Sequence, residues 1–444
     1  MNDLASTPHG SFAERHAARR AALACMVTLA VALGIGRFAF TPLFPLMLHG
    51  SGSGQPQLDI QHGGWLASFN YAGYFVGAVT CAALRIEPAR MVRMGLAATV
   101  LLTLVMGVTS QFWIWAAVRF IAGAVSAWTF VFASQWGLRR LAEIGAHAWG
   151  GVIYTGPGVG IVGTGLLVSV AGGYGAATGW IGFGLIAAIL SVVVWPVFGT
   201  ASGGGEKARS ARMVGSGSGD QARAGKMSQR VAGQAGATER AAVQGATTHA
   251  THHADALWLV LLYGIPGFGY IITATFLPVI ARHALPGSSW PDLFWPMFGA
   301  ALIVGALLAA RLPVHWDNRT LLAGCYVLQA CGIALGIVRP TAAGFSFGSI
   351  LIGLPFTAIT LFAMREARRL RGDDAAGLMG YATAAYGVGQ IVGPLVAAPI
   401  AEQTGSFSPA LWLAAGALLV GATGLIVVAR MPRGRGRMPD CGCH

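Results

Sequence analysis

The chain has 444 residues, of which 55% are apolar and only 10% charged, and its mean hydropathy is +0.62. Soluble domains carry about 25% charged residues, so a water-soluble globule is excluded: too few charges are present to clothe its surface. The net charge of +13 would suit nucleic acid in a soluble chain, but its placement along the sequence points to a lipid bilayer and to no nucleic acid.

A spanning helix takes about 20 mostly apolar residues. The first six such stretches are Ala21–Leu48, Gly63–Leu84, Met91–Thr109, Phe112–Gly137, Ala148–Val170 and Thr178–Gly199. Arg15, Arg19 and Arg20 precede the first one in the manner of a signal peptide. That run is too long, holds Arg37 near its middle and lacks a small-residue cleavage site, so it is expected to stay as a span. Residues 201–254 are rich in Gly, Ala, Ser, Gln and Arg with no apolar period, which predicts a disordered linker. Six further stretches follow: Ala256–Ala281, Trp290–Ala310, Thr320–Val338, Ala342–Met364, Gly377–Ile400 and Pro409–Ala429. The expected organisation is therefore an all-α integral membrane protein. It has an N-terminal six-helix half (1–200), the linker (201–254), a C-terminal six-helix half (255–430) and a basic tail (431–444).

Cys25, Cys81, Cys325 and Cys331 lie in apolar runs, where cysteine behaves as a small hydrophobe, and no disulfide framework is indicated. His249, His252 and His253 read as the polar end of the linker, and Cys441, Cys443 and His444 as part of a solvated tail. No metal or other cofactor is expected. All but four of the 29 Lys and Arg residues fall in the termini, the linker and alternate loops. The loops between them hold Arg282 and Arg339 alone. This asymmetry predicts a multi-pass protein of the cytoplasmic (inner) membrane with both termini cytoplasmic. Trp65, Trp113, Trp149, Trp258 and Trp290 sit near span ends, where amphipathic rings prefer the interface.

The halves echo each other. Gly34 and Ile35 with Phe38 and Phe40 match Gly264 and Ile265 with Phe268 and Tyr270 at an offset of 230, and Gly123 matches Gly353. A slightly different offset pairs Gly77–Arg85 with Gly305–Leu312. In this repeat Arg37 corresponds to Gly267 and Arg119 to Ser349. The scaffold accepts small residues at both places, so both arginines read as additions to one half.

Twelve spans, a long central linker and a six-span repeat resemble the major facilitator superfamily. The segments LGIGRFAFTPLFPLM, GWLASFNYAGYFVGA, VRFIAGAVSA and YGIPGFGYIITATFLPV are similar to its YbfB/YjiJ branch. Val118–Ala127 is similar to the fourth-helix signature of the superfamily, and Tyr154–Gly165 to its glycine-rich fifth-helix motif. The usual acidic signature between helices two and three is degenerate here: GAVTCAALRIEPAR has no aspartate. The resemblance implies a secondary transporter whose two six-helix halves rock about a central cavity lined by helices one, four, seven and ten.

Arg37 and Arg119 are the last two basic residues, and both lie inside spans. A charge there costs roughly 3 kcal/mol on insertion scales, which makes function its default explanation. By helical rise Arg37 lies about 16 Å in from Leu48 and Arg119 about 10 Å in from Phe112, in the same half of the membrane. The resemblance makes their helices neighbours, and two desolvated cations in one cavity form an anion site. Asp59, Asp292 and Glu402 lie in outer loops or at span ends, the other acids are cytoplasmic, and no carboxylate is expected within a span. An alternative is that an arginine bonds the carbonyl ends of a broken helix, since Pro42 and Pro45 interrupt span one.

Asn70, Tyr71 and Tyr74 in span two, Gln135 in span four, Tyr154 in span five, and Tyr386 and Gln390 in span eleven add polar handles. Asn70, Tyr154, Tyr386 and Gln390 join Arg37 and Arg119 as candidate substrate contacts. With no Asp, Glu or His deep in a span, tight proton coupling is not expected; facilitated movement or anion exchange stays open. No Ser/His/Asp, Cys/His or metal constellation argues for an enzyme. The expectation is a monomeric carrier that moves a small organic solute by alternating access, with an anion held at Arg37 and Arg119 as the first choice. Export of hydrophobic or cationic compounds is the rival, and a membrane sensor signalling through the linker is a more distant one.

Overall fold

The computed structural model describes residues 12–49, 58–170, 175–199, 238–313, 315–371 and 375–430. Most of the predicted linker, 201–237, and the tail 431–444 lie outside them. Among the described residues, eleven helices are long and apolar enough to cross a membrane. The remaining span, Ile60–Thr80, is as long at 21 residues; Asn70, Tyr71 and Tyr74 within it lower its hydropathy. The seventh span belongs to a helix that runs Thr238–Ala284, so helix reaches into the stretch expected to be linker. Outward-facing apolar side chains such as Leu101, Ile189, Val192 and Val420 stay exposed, as a lipid-facing surface requires.

Local chemistry sets the helix ends. The Asp59 side chain accepts the His62 amide at 2.6 Å and caps span two. Asp317 and Thr341 cap Asn318–Val338 and Ala342–Gly353 in the same way. Span ten breaks after Gly353 and resumes as Phe356–Arg371. Pro355 stands at the break, where its missing N–H interrupts the helical ladder.

The repeat read from the sequence is a repeat of packing. Spans two and four, three and six, and one and five pack together in the first half; eight and ten, nine and twelve, and seven and eleven do so in the second. Spans one and five close on Gly34 and Gly160, and spans seven and eleven on Gly264 and Gly389. A Cβ at Gly389 would stand 2.6 Å from the Phe268 amide nitrogen, so only glycine allows this approach. The halves meet through spans two and eleven and through spans five and eight.

Span one is not a continuous helix. Phe12–Leu29 is α-helical, Ala30–Ile35 forms a wider π turn, and the helix resumes only at Phe40–His49. Pro42 has no N–H and its ring clashes with a regular helix at Phe38; Thr41 N turns back to the Phe38 carbonyl at 3.2 Å. The carbonyls of Gly36 and Arg37 are thereby freed from the ladder, deep in the protein.

Candidate functional site

Arg37 projects from this break and is 5% exposed. Its Nη2 donates to Oε1 of Gln390 at 2.9 Å. The Gln390 amide group in turn donates to the Tyr270 hydroxyl. The guanidinium carbon lies 4.0 Å from the ring centre of Tyr74, 5.1 Å from that of Tyr71 and 5.3 Å from that of Phe38. Aromatic faces at this range stabilise a desolvated cation by about 2 kcal/mol. Behind Gln390, Tyr386 stacks between Tyr263 (4.9 Å) and Tyr270 (6.0 Å). Arg37 therefore stands in a wall of tyrosines drawn from spans two, seven and eleven.

Arg119 is 2% exposed and turns the other way. Nη2 donates to the carbonyl of Arg37 at 3.2 Å and Nη1 approaches the carbonyl of Gly36 at 3.4 Å. It satisfies the acceptors that the break in span one releases. Asn70 fixes the backbone beneath it, donating Nδ2 to the Arg119 carbonyl at 2.8 Å. Spans two and four come close enough for this because Gly123 lies against the Asn70 backbone; a Cβ there would be 2.7 Å from the Tyr74 amide nitrogen. Among the described residues no acidic side chain pairs with Arg37 or Arg119. The Nε of each is buried without a hydrogen-bond partner.

Of the six candidate contacts, Arg37, Gln390 and Tyr386 come together, and Arg119 with Asn70 forms the layer behind them. Tyr154 is elsewhere, packed 6.2 Å from the Phe130 ring on the side of the N-terminal half nearer the termini. Gln135 is exposed. Tyr270, Tyr263 and Thr275 were not singled out as site residues; the repeat match of Tyr270 to Phe40 was the available signal. Oxygen on the ring is what the second half adds there.

Hydrogen bonds across the halves lie at the level of Arg37 or beyond it, toward the end away from the termini. Thr41 Oγ1 donates to the Ala274 carbonyl at 3.0 Å, Ser68 Oγ to the Ile391 carbonyl at 2.9 Å, and Tyr71 Oη meets Thr275 Oγ1 at 3.0 Å. Phe44 packs edge-on to Phe276 at 5.9 Å in the same layer. Toward the termini, Tyr74 and Tyr386 are half-buried, whereas Arg37 and Gln390 are buried.

The expectation that no carboxylate lies within a span needs correction. Glu366 is fully buried, because span ten continues past Met364 to Arg371. It accepts from Arg319 at 2.7 Å and from Arg369 at 2.6 Å, and Arg319 also reaches Asp255 at 2.8 Å and the Val428 carbonyl at 3.1 Å. This network ties together spans seven, nine, ten and twelve at the end near the termini. It belongs to one half and lies apart from Arg37.

The family model described as uncharacterised MFS-type transporter YbfB matches residues 29–218 and 227–427. Two curated relatives, both described as chloramphenicol efflux pumps of Mycobacterium tuberculosis (strains CDC 1551 / Oshkosh and ATCC 25618 / H37Rv), are 30% identical over 162 residues. That match takes in 34% of this chain and 38% of theirs, so the chain spans less than half the length of these relatives. Among solved structures, a mutant form of the nucleoside transporter NupG superposes with a TM-score of 0.65 at 12% identity, covering 93% of this chain and 99% of that one. A second NupG structure gives 0.60 at 12% identity, covering 94% and 100%. At such identity these two speak for the fold alone.

Proposed function

The chain belongs to the YbfB-type family of major facilitator transporters, and we propose from that premise that it carries a small organic anion with an aromatic or planar body. The transport class follows from the family; the cargo is our reading. The observation that carries it is Arg37. It is a buried cation without an acidic partner, set against Tyr74 and Tyr386 on the approach side. A carboxylate reaching it would gain a charge-assisted hydrogen bond, and a flat substituent would lie along the tyrosine faces.

With the arginine-rich loops facing the cytoplasm, this conformation is closed outside and approached from inside. Arg119 and Asn70 hold the unwound part of span one so that Arg37 keeps its aim. Arg119 acts here on backbone, and Arg37 on cargo.

The chloramphenicol pumps favour a second reading, the efflux of neutral aromatic compounds. Arg37 and Gln390 can donate to uncharged acceptors, and the tyrosine wall suits an aromatic ring. Uptake into proteoliposomes separates the two. The anion reading expects at least one of benzoate, nicotinate and phenylpyruvate to enter faster than into protein-free liposomes, and Arg37→Ala to abolish that uptake. Carboxylates at background together with movement of chloramphenicol would establish efflux instead.

A further inference from the structure

The bond between Arg37 and Gln390 joins the two halves, and it is the member of the cross-half layer nearest the approach side. Thr41–Ala274, Tyr71–Thr275 and Ser68–Ile391 all lie farther toward the closed end. Gln390 is 3% exposed, and its two ends are committed to different neighbours: the carbonyl to Arg37, the amide to Tyr270. Reversing the amide would set donor against donor at the guanidinium. Tyr270 cannot drift, because it is fully buried, edge-on to Phe356 at 5.0 Å and stacked on Tyr386. Gln390 is thus a preoriented neutral acceptor aimed at the Arg37 guanidinium.

Closing the far end strips water from Arg37. A buried cation without an acceptor is strongly unfavourable, and a carrier whose site arginine depends on cargo for its acceptor cannot close unloaded. Here the protein supplies the acceptor from the opposite half, and the faces of Tyr74 and Tyr71 take up the rest of the charge.

We propose that Gln390 is the resident ligand of Arg37: it latches the halves at the far end when no cargo is engaged, and so lets the carrier reorient unloaded and give net flux instead of strict exchange. The proposal rests on the transport reading above for its consequence, while the latch itself is independent of which solute is carried.

The test uses the full-length protein in lipid nanodiscs with no solute added. Spin labels at Gln111 and Gln403, both exposed near the far end of opposite halves, report opening as a longer distance in pulsed electron resonance. Gln390→Met keeps the volume and removes the acceptor; it should raise the ratio of open to closed about ten- to hundredfold, the factor one hydrogen bond from a charged donor carries. Arg37→Met removes the buried cation together with the bond, so it should open the far end less than Gln390→Met does, and the double variant, which leaves no unpaired charge at the contact, should regain much of the closed population. Gln390→Glu, which replaces the neutral acceptor with a charged one, should hold the short distance more firmly than the wild type. A wild-type distribution in Gln390→Met, or effects that simply multiply in the double variant, would overturn the latch. If the latch holds while no carboxylate is taken up in the liposome assay, the anion reading fails and the latch stands.

Discussion

Replacing Arg119 with methionine separates its two conceivable roles. The side chain keeps its length and loses its donors, so the carbonyls of Gly36 and Arg37, now bonded at 3.4 and 3.2 Å, are left buried and unpaired. A hydrogen bond from a charged donor contributes about 1.5–3 kcal/mol. The longer bond counts for less, and removing a buried guanidinium with an idle Nε returns part of the loss. The net expectation is about 3 kcal/mol. For a unit the size of one six-helix half, each kcal/mol moves the melting temperature by about 2–4 °C, so a fall of roughly 6–12 °C follows. Arg119→Lys restores one point-like donor and should recover about half of it. The assay is thermal unfolding of the purified protein in detergent, followed by intrinsic tryptophan or thiol-reactive fluorescence. A wild-type melting temperature in Arg119→Met, accompanied by loss of transport, would refute the backbone role and return Arg119 to the cargo.

Three further outcomes are expected. Glu366→Gln takes the counter-charge from Arg369 and leaves Arg319 with Asp255 alone; breaking a buried pair costs about 3–5 kcal/mol, and the membrane yield and melting temperature should both drop while Arg319→Met with Glu366→Met together recovers much of the loss. Asp59→Ala removes the cap of span two and should cost about 1 kcal/mol. Burial pulls the Asp59 carboxyl upward, but hydrogen bonds from His62 and Gln61 and the His62 charge outweigh it and hold it below its ordinary value. The capping stability is thus present above the unfolded carboxylate pKa near 4 and is lost as pH falls through the lower folded value, which a melting series from pH 6 to pH 3 can follow. Gly123→Leu would drive spans two and four apart at Asn70 and should abolish folding into the membrane, read as loss of a monodisperse peak in detergent.

Much of this architecture is legible in the sequence, because the bilayer imposes a single strong rule: apolar runs of fixed length. The break in span one is foreshadowed by Gly34, Gly36 and Pro42, and the glycines that repeat at fixed offset mark where helices nearly touch. The site is less legible. Arg37 and Gln390 are 353 positions apart, and no local pattern says that a glutamine in span eleven faces an arginine in span one. Arg119 and Arg37 look alike as intramembrane cations; which one addresses backbone depends on the carbonyls freed at Gly36 and Arg37. Glu366 escaped notice for a different reason. It stands among Arg365, Arg368 and Arg369, a composition that reads as a solvated helix end, and only the fold brings Arg319 over from span nine to bury it.

Arg37 is the residue proposed to meet the cargo. Its most direct test is a thermal-shift comparison of the wild type and Arg37→Gln against one panel of small carboxylates, neutral aromatics and organic cations, since a ligand bound only by the folded form raises the melting temperature. Carboxylates with a planar body should stabilise the wild type, by several degrees at concentrations near a hundredfold above the dissociation constant, and leave Arg37→Gln unmoved. Equal stabilisation of both proteins, or stabilisation by cations alone, would contradict it.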